Sequence, residues 1–512
     1  MPVARSTVIA LIGLRGELVE IEADLSDGLP AFNLIGLPDA ALGEARQRVR
    51  SAAVNSGCDL PNRKFTVNLS PAALPKHGSG FDLGIALAML AACGLVSPDS
   101  VARVVHIGEL GLDGRVRDAP GVLPAVLAAK RAGRSIVMVP AVAAAEASLV
   151  EGVEIVPVAS LRAAAIWHGA ELDVLDDPIA APTASVQAEE AAPPGLDLAD
   201  VVGNEEAIRA LTVAAAGGHH LFLLGPPGAG KTMLATRLPG ILPELDADAA
   251  IECASVRSLS GLPVAALTRR PPFEAPHHTA STPAIVGGGS GVIRPGAIAR
   301  AAHGVLFLDE APEFSRVVLD ALRQPLETGV ITVQRANATA RFPANVQLVL
   351  AANPCPCGRL GEAECSCTPM ARRRYLGRLS GPLLDRVDLQ LTVRRITAAG
   401  LRTELEDRRG RVTSASVASS VRESRSAAAE RLAGTPWRRN ADVPGSWLRG
   451  RNRPAAASLA VLDRALERGA ITMRGYDRVL RIAWTLADLD GRGAPGRGEV
   501  AEALGYRTAL GA

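Results

Sequence analysis

Short β-like runs, "LVEIEADL", "KFTVNLS" and "SIVMVP", alternate with alanine-rich helical runs over residues 1–172. This mixture predicts an α+β domain. The stretch "DVLDDPIAAPTASVQAEEAAPPG", residues 173–195, is rich in Pro, Ala and acids and has no hydrophobic period, so it predicts a linker. From 196 to 395 apolar strands alternate with helices, the α/β pattern of a parallel sheet covered on both faces. From 396 to 512 the strand signals stop, and Ala/Leu/Arg helices surround a loop at "RNADVPGSW". No fixed-period repeat is present.

At 512 residues the chain is too long for one ordinary core, which fits several domains. Hydrophobic content of 48% with 21% charged residues reads as soluble and globular. The longest apolar run, "LGIALAMLAACGLV", is too short and too rich in small residues to span a bilayer and predicts a buried helix. No export signal is evident near the N-terminus, so the expected location is the cytoplasm, without a membrane partner. In that setting seven cysteines, an odd number, favour reduced thiols or a metal over disulfides. A net charge of +2 advertises no global attraction to nucleic acid, so any basic surface is local. Arginine supplies nearly all the positive charge. The lysines are Lys64, Lys76, Lys130 and Lys231, and a lysine kept against that bias carries information.

Lys231 stands in "LFLLGPPGAGKTMLATRL", where Gly225–Thr232 matches G-x-x-x-x-G-K-[ST] between an apolar strand and a helix. Glycines let backbone N–H groups turn in on a phosphate, and the helix N-terminus adds partial positive charge. Gly225, Pro226, Pro227, Gly228, Ala229, Gly230, Lys231, Thr232 and Met233 are the candidate nucleotide-binding residues. A compact ammonium at Lys231 reaches the β- and γ-phosphates where the planar fork of arginine fits poorly. The apolar strand in "GVLFLDEAPEF" ends in Asp309 and Glu310. Thr232 and Asp309 are the candidate Mg²⁺ ligands, and Glu310 the base that polarises the attacking water. "VQLVLAANPC" ends an apolar strand in Asn353, either a turn residue before Pro354 or a group that orients water near the γ-phosphate. Arg386 precedes a further strand in "LSGPLLDRVDLQL".

The runs "VVGNEEAIRALTVAAAGGHHLFLLGPPGAGKTMLA", "APHHTASTPAIVGGG", "GVLFLDEAPEF", "ALRQPLETG", "NPCPCG" and "YLGRLSGPLLDRVDLQ" resemble the magnesium-chelatase-like AAA+ ATPases of the YifB/ComM type. The resemblance covers nearly the whole chain. It implies an AAA+ core at 196–395, a helical lid at 396–512, a homo-hexameric ring and ATP hydrolysis. It makes Asn353 a sensor residue, Arg386 an arginine finger reaching a neighbour's γ-phosphate, and Arg474, in "TMRGYDRVLRIAWTLADLDG", the lid sensor. Two positions depart from the family pattern: Glu274 where arginine is common, and "IAWT" at Ile482–Thr485 where "VART" is common. Members of the ComM type are implicated in DNA branch migration, which makes single-stranded or branched DNA the expected partner. The chelatase likeness leaves a second expectation, an ATP-driven remodeller of a protein partner. A non-enzymatic nucleotide switch is the third, and intact Glu310 and Arg386 argue against it.

Elements able to touch a strand follow from the same reading. "ETGVITVQRANATARFPANVQLV" predicts a hairpin around Arg335–Thr339, with Arg335 and Arg341 placed to hold backbone phosphates. An ordinary structural hairpin is the alternative. Glycine-rich "IVGGGSGVIRPG" is either a pore loop or a solvent loop. His277 and His278, adjacent on an extended segment, are expected to face opposite ways and to serve structural roles. Cys355, Cys357, Cys365 and Cys367 form two C-x-C pairs that would enclose a tetrahedral Zn²⁺. The usual pair spacing is C-x₂-C, and free thiols or a redox response are the alternative. Finally, "LPKHGSGFDLGIALAML" and "VLAAKRAG" resemble segments of the Lon protease domain. The Ser and Lys positions of a Lon-type dyad fall on Gly80 and Leu123; Ser79 is one place off, and Lys76 and Lys130 lie elsewhere. The expectation is a Lon-like N-terminal domain without the dyad.

Overall fold

A computed structural model of the chain describes residues 3–36, 44–72, 74, 76, 78, 80–174, 196–289, 293–335, 338–360, 365–396 and 411–508. Most of the expected linker, residues 175–195, lies outside them, as does Ser79.

The N-terminal part is built on the alternation read above. Strands β1 (Ala4–Ile12) and β2 (Arg15–Ser26) pair antiparallel from Ala4↔Ala23 to Ile12↔Arg15. They form the middle of a seven-stranded sheet with β3 (Ala31–Ile35), β4 (Lys64–Ser70), β5 (Val105–His106), β8 (Ile136–Pro140) and β9 (Glu154–Val158), in the order β3-β4-β2-β1-β5-β8-β9. A separate two-strand ribbon joins β6 (Glu109–Leu110) to β7 (Val116–Arg117). Helix α1 (Ala45–Asn55) and helix α2 (Asp82–Ala92) pack together on this sheet. Helix α2 is the long apolar run, and it is buried on every side. Its one charge, Asp82, is held by Arg48 of α1 at 2.6 Å, which satisfies a carboxylate otherwise costly to bury. Helix α3 (Val122–Arg131) lies against β1 and β2.

The second part is an all-parallel five-stranded sheet in the order β11-β12-β15-β10-β16. Its strands are β10 (Leu221–Leu224), β11 (Phe273–Glu274), β12 (Val305–Leu308), β15 (Gln347–Ala352) and β16 (Leu389–Thr392). Strands β12 and β15 are buried at every position, as expected where helices cover both faces. Between them a hairpin rises from β13 (Val330–Arg335) to β14 (Ala338–Pro343). The turn between β1 and β2 rests on it: a side-chain carbon at Gly13 would stand 3.0 Å from the Arg341 carbonyl. Helix α4 (Glu205–Gly217) leads into β10, α5 (Lys231–Arg237) leaves it, and α6 (Ala247–Leu259) follows. Helix α6 meets α3 through Ser258, whose carbonyl accepts the Gly121 N–H at 3.1 Å.

A helix α7 (Pro369–Leu376) precedes β16, and past β16 the described C-terminal region is helical: α8 (Ser414–Arg431), α9 (Ala456–Glu467), α10 (Met473–Leu489) and α11 (Arg497–Thr508). Helix α10 joins this region to the sheet through a buried polar chain. Arg431 and Asn440 hold Asp488, Asn440 donates to Thr485 at 3.1 Å, and Thr485 meets His219 at 2.8 Å. His219 in turn reaches Asp388 at 3.3 Å, and Arg478 pairs with the same carboxylate. Burial works against the charge of Asp388, but Arg478 and His219 hold it well below the usual carboxylate range.

In the N-terminal part His106 and His168 share one hydrogen bond between their Nε2 atoms, 3.1 Å, and His168 Nδ1 meets Ser100 at 2.9 Å. Burial pushes His106 down to about 3 and His168 down to about 4. Unfolded histidine takes its proton near 6.5, so between about 6.5 and 4 the unfolded chain holds more protons than the folded one. Stability contributed by the pair is therefore present at neutral pH and lost as pH falls through that window. The unfolding temperature is expected to drop between pH 7 and pH 4, and to drop less in His168→Gln; parallel curves would contradict this.

Candidate functional site

Three adjacent parallel strands end at the same edge. The pairings Leu308↔Leu350 and Leu224↔Ala352 set the C-terminal ends of β12, β15 and β10 side by side. Residues following those ends are Asp309 and Glu310, Asn353, and Gly225. The loop Gly225–Gly230 turns through left-handed backbone at Gly228 and Gly230, φ 78° and 92°, and opens α5 at Lys231. A residue with a Cβ resists those angles.

Lys231 is buried, and its ammonium donates to the carbonyls of Gly225 (2.6 Å) and Pro226 (3.1 Å) and to Asn353 Oδ1 (3.0 Å). Burial lowers its pKa, while Asp309 and Glu310 oppose that shift. Thr232 Oγ1 donates to Asp309 Oδ2 at 2.7 Å. Asp309 Oδ1 accepts the Glu310 N–H at 2.9 Å, and Glu310 itself sits in left-handed backbone at φ 50°. Arg395 donates to the Pro227 carbonyl at 2.9 Å. The structure thus brings Lys231, Thr232, Asp309, Glu310 and Asn353 together. Such a loop, on such a sheet, with an acid pair on the strand tip that lies across β15 from it, defines a P-loop core of the AAA+ class.

Comparison with known proteins narrows the class. Residues 197–401 match the family model "Magnesium chelatase, subunit ChlI", residues 21–143 match "Subunit ChlI of Mg-chelatase", and residues 411–507 match "Magnesium chelatase, subunit ChlI C-terminal". The chain is 43% identical over 508 residues to competence protein ComM of Haemophilus influenzae, covering 97% of this chain and 96% of that one. It is 38% identical over 500 residues to YifB of Escherichia coli, covering 97% and 96%. The chain belongs to the magnesium-chelatase-like YifB/ComM family. A 143-residue segment is also 34% identical to Lon protease of Mycolicibacterium smegmatis, covering 26% of this chain and 18% of that protein. In this Lon-like part Leu123 is buried and Gly80 carries no side chain. Lys76 is buried with its ammonium donated to the Pro71 and Gly36 carbonyls, and Lys130 donates to the Glu151 carbonyl.

Other expected site residues stand apart from the phosphate loop. Arg386 pairs with Glu327, donates to the Pro382 carbonyl at 2.6 Å and is 14% exposed. Arg478 donates to the Arg386 carbonyl at 3.1 Å. Arg474 is exposed on the first turn of α10. Arg335 and Arg341 are exposed on the hairpin; its tip, residues 336–337, lies outside the described residues, as do 290–292 of the glycine-rich loop. The two departures from the family pattern have local partners. Glu274 pairs with Arg300 at 2.9 Å, and Trp484 lies beneath the Arg431 guanidinium at 4.4 Å. His277 and His278 do not face apart: their ring centroids are 4.1 Å from each other, because the chain turns at Ala280 instead of staying extended. His278 Nδ1 lies 3.3 Å from Glu310 Oε2, a pairing that no local sequence signal announced.

The four thiols Cys355, Cys357, Cys365 and Cys367 have ligand atoms within 4.8 Å of one another, with Sγ–Sγ distances of 3.4, 3.9 and 3.7 Å among the first three. Tetrahedral Zn–S bonds of about 2.3 Å place sulfurs about 3.8 Å apart, so the donor set fits a metal of that kind. The thiol loop also touches the phosphate loop. A Cβ at Gly358, φ 74°, would stand 2.6 Å from Pro227 Cδ and Cγ. Gly358→Ala is therefore expected to weaken binding of a fluorescent ATP analogue about tenfold, within the roughly 1–3 kcal/mol that forcing an extra carbon against packed neighbours costs. Gly434→Ala, at φ 78° with nothing within 4 Å, carries the left-handed strain without the contact and should bind as the parent does. Equal titrations for both variants would contradict the contact.

Proposed function

We propose that the chain is an ATP hydrolase that works as a homo-hexameric motor in the cytoplasm and moves or remodels DNA. The observation that carries the hydrolase reading is the 2.7 Å bond from Thr232 to Asp309 with Glu310 beside it. A bound nucleotide's phosphates take over the Lys231 ammonium from the Gly225 and Asn353 oxygens. Thr232 and Asp309 would hold Mg²⁺, which would neutralise charge on the phosphate oxygens. Glu310 accepts a proton from water; the water oxygen bonds to the γ-phosphorus as the bond from that phosphorus to the bridging oxygen breaks. Lys231 and a neighbouring subunit's Arg386 stabilise the charge that develops. In the single chain Arg386 is held by Glu327, so its action in trans requires that pair to open. Arg474 reaches the nucleotide when the lid closes.

Support for DNA as the partner comes from exposed Arg335 and Arg341 on the hairpin between β13 and β14 and from the likeness to a competence protein. The match to chelatase subunit models supports a second reading, in which the motor remodels a protein partner. No helix among the described residues is long and apolar enough to cross a membrane. The thiol cluster would hold a structural Zn²⁺, which would fasten the loop after Asn353.

Glu310→Gln is expected to slow ATP turnover by about 10²- to 10⁴-fold, the usual worth of a general base, while nucleotide binding persists. Hydrolysis at the parental rate would contradict the role. Single-stranded or branched DNA should stimulate turnover, and Arg335→Ala should remove the stimulation; indifference to every DNA form favours the protein client. Metal analysis of untagged protein should find about one zinc per chain, and folded protein without zinc would exclude the metal.

A further inference from the structure

We propose that the outward face of helix α7 is a second docking surface for the sugar–phosphate backbone of a DNA strand, in addition to the hairpin. This rests on the reading of DNA as the partner. The stretch from Cys365 to Arg378, "CSCTPMARRRYLGR", carries Arg372, Arg373, Arg374 and Arg378 and no acid. Helical spacing sorts these residues. Met370, Arg373 and Arg374, at i, i+3 and i+4, share one face and are exposed. Tyr375 is buried, with the Asn353 backbone beside its hydroxyl. Arg372 donates to the Cys367 carbonyl at 3.2 Å, and Arg378 donates to the Pro312 carbonyl at 3.1 Å and pairs with Glu313 at 2.8 Å. Among the described residues neither Arg373 nor Arg374 has an acidic partner.

Other exposed arginines, such as Arg5 at 3.6 Å from Glu20 and Arg316 at 3.7 Å from Asp320, already have a carboxylate beside them. On α7 two like charges stand side by side, and an anion that both can hold removes their repulsion. A phosphate backbone fits better than an acidic protein surface. Its anions recur at a regular spacing, and each accepts the parallel N–H groups of one guanidinium. Met370, 78% exposed on the same face, adds an adaptable apolar contact for a sugar or a base. The face is also firmly mounted. The Thr368 side chain caps α7 at the Ala371 N–H, 3.2 Å, and Arg372 ties the helix to the thiol loop. Tyr375 ties it to the strand end at Asn353, and Arg378 to the turn Ala311–Glu313 that follows Glu310. A strand seated on α7 thus lies on an element that touches two parts of the nucleotide-facing edge.

The test is binding of a fluorescein-labelled oligothymidylate to the full-length chain, with Mg²⁺ and a non-hydrolysable ATP analogue, read by fluorescence anisotropy across a salt series. For a single strand, log affinity falls by about 0.7 per unit of log salt for each phosphate held. The double variant Arg373→Ala with Arg374→Ala should therefore flatten that slope by about 1.4 and weaken binding about tenfold at about 0.1 M salt. An oligoadenylate should lose the same factor, because phosphates carry no sequence. Arg373→Lys with Arg374→Lys keeps both charges and should keep the parental slope. Arg373→Gln and Arg374→Gln made singly, each flattening the slope by about 0.7, serve if the double alanine variant does not fold. Parental slope and affinity in the folded alanine variant overturn the inference. So does an alanine variant that sediments differently from the parent, which gives the face to a neighbouring copy of the chain. Failure of the underlying reading looks different: a parent chain that binds no form of DNA removes that reading and this inference with it. A parent that binds DNA beside an unaffected alanine variant removes the inference alone.

Discussion

The parallel register of β12, β15 and β10 is the constraint on which the site depends. Each strand is short and apolar, and each pairs with the next through backbone hydrogen bonds that leave no freedom to slip without turning buried side chains outward. Because β10 and β15 end flush and β12 ends beside Leu350, a carboxylate pair, an amide side chain and a glycine turn arrive at one edge from distant parts of the sequence. The glycine turn then points the first residue of α5 back across that edge, and Lys231 finds its acceptors there. A slip of one residue in β15 would carry Asn353 away from Lys231 and leave a buried ammonium with fewer partners, an expensive arrangement.

What surrounds this edge is organised as levers on it. The thiol loop leaves β15 two residues after Asn353 and leans on Pro227 through Gly358. The α10 helix is tied to the base of β10 through Thr485, His219 and Asp388, so the C-terminal helices and the sheet share buried polar atoms that cannot be parted cheaply. Helix α10 also reaches Arg386 through Arg478, and Arg386 is tied through Glu327 to the start of the hairpin. The β1–β2 turn of the N-terminal sheet sits on that hairpin. The C-terminal helices, the hairpin and the N-terminal sheet are thus joined by physical contacts to the part of the molecule that carries this strand edge.

Much of this was legible in the sequence because it is local. The phosphate loop is one unbroken run, the acid pair ends an apolar strand, and both the Lon-like segment and the helical C-terminal region announce themselves by pattern. The thiol cluster was also legible, despite its C-x-C spacing, because four thiols lie within a short stretch of chain. Long-range pairings were not legible. Nothing near Arg386 distinguishes it from the many arginines of this chain, and its partner Glu327 lies in another element. The departures at Glu274 and Trp484 left their local partners open, and each meets an arginine, Arg300 and Arg431, that only folding brings near. His277 and His278 were read by the alternation rule for extended chains, and a turn at Ala280 set that rule aside.

The central claim is that this strand edge grips a nucleoside triphosphate through backbone amides and one ammonium. A crystal or cryo-EM structure with Mg²⁺ and a non-hydrolysable ATP analogue tests it most directly. The account predicts the triphosphate within the Gly225–Thr232 turn, the Lys231 ammonium moved from the Gly225 carbonyl to phosphate oxygens, and Thr232 and Asp309 on either side of one metal ion. An analogue bound elsewhere, or a saturated sample in which Lys231 still donates to Gly225 and the turn holds no phosphate, would contradict it.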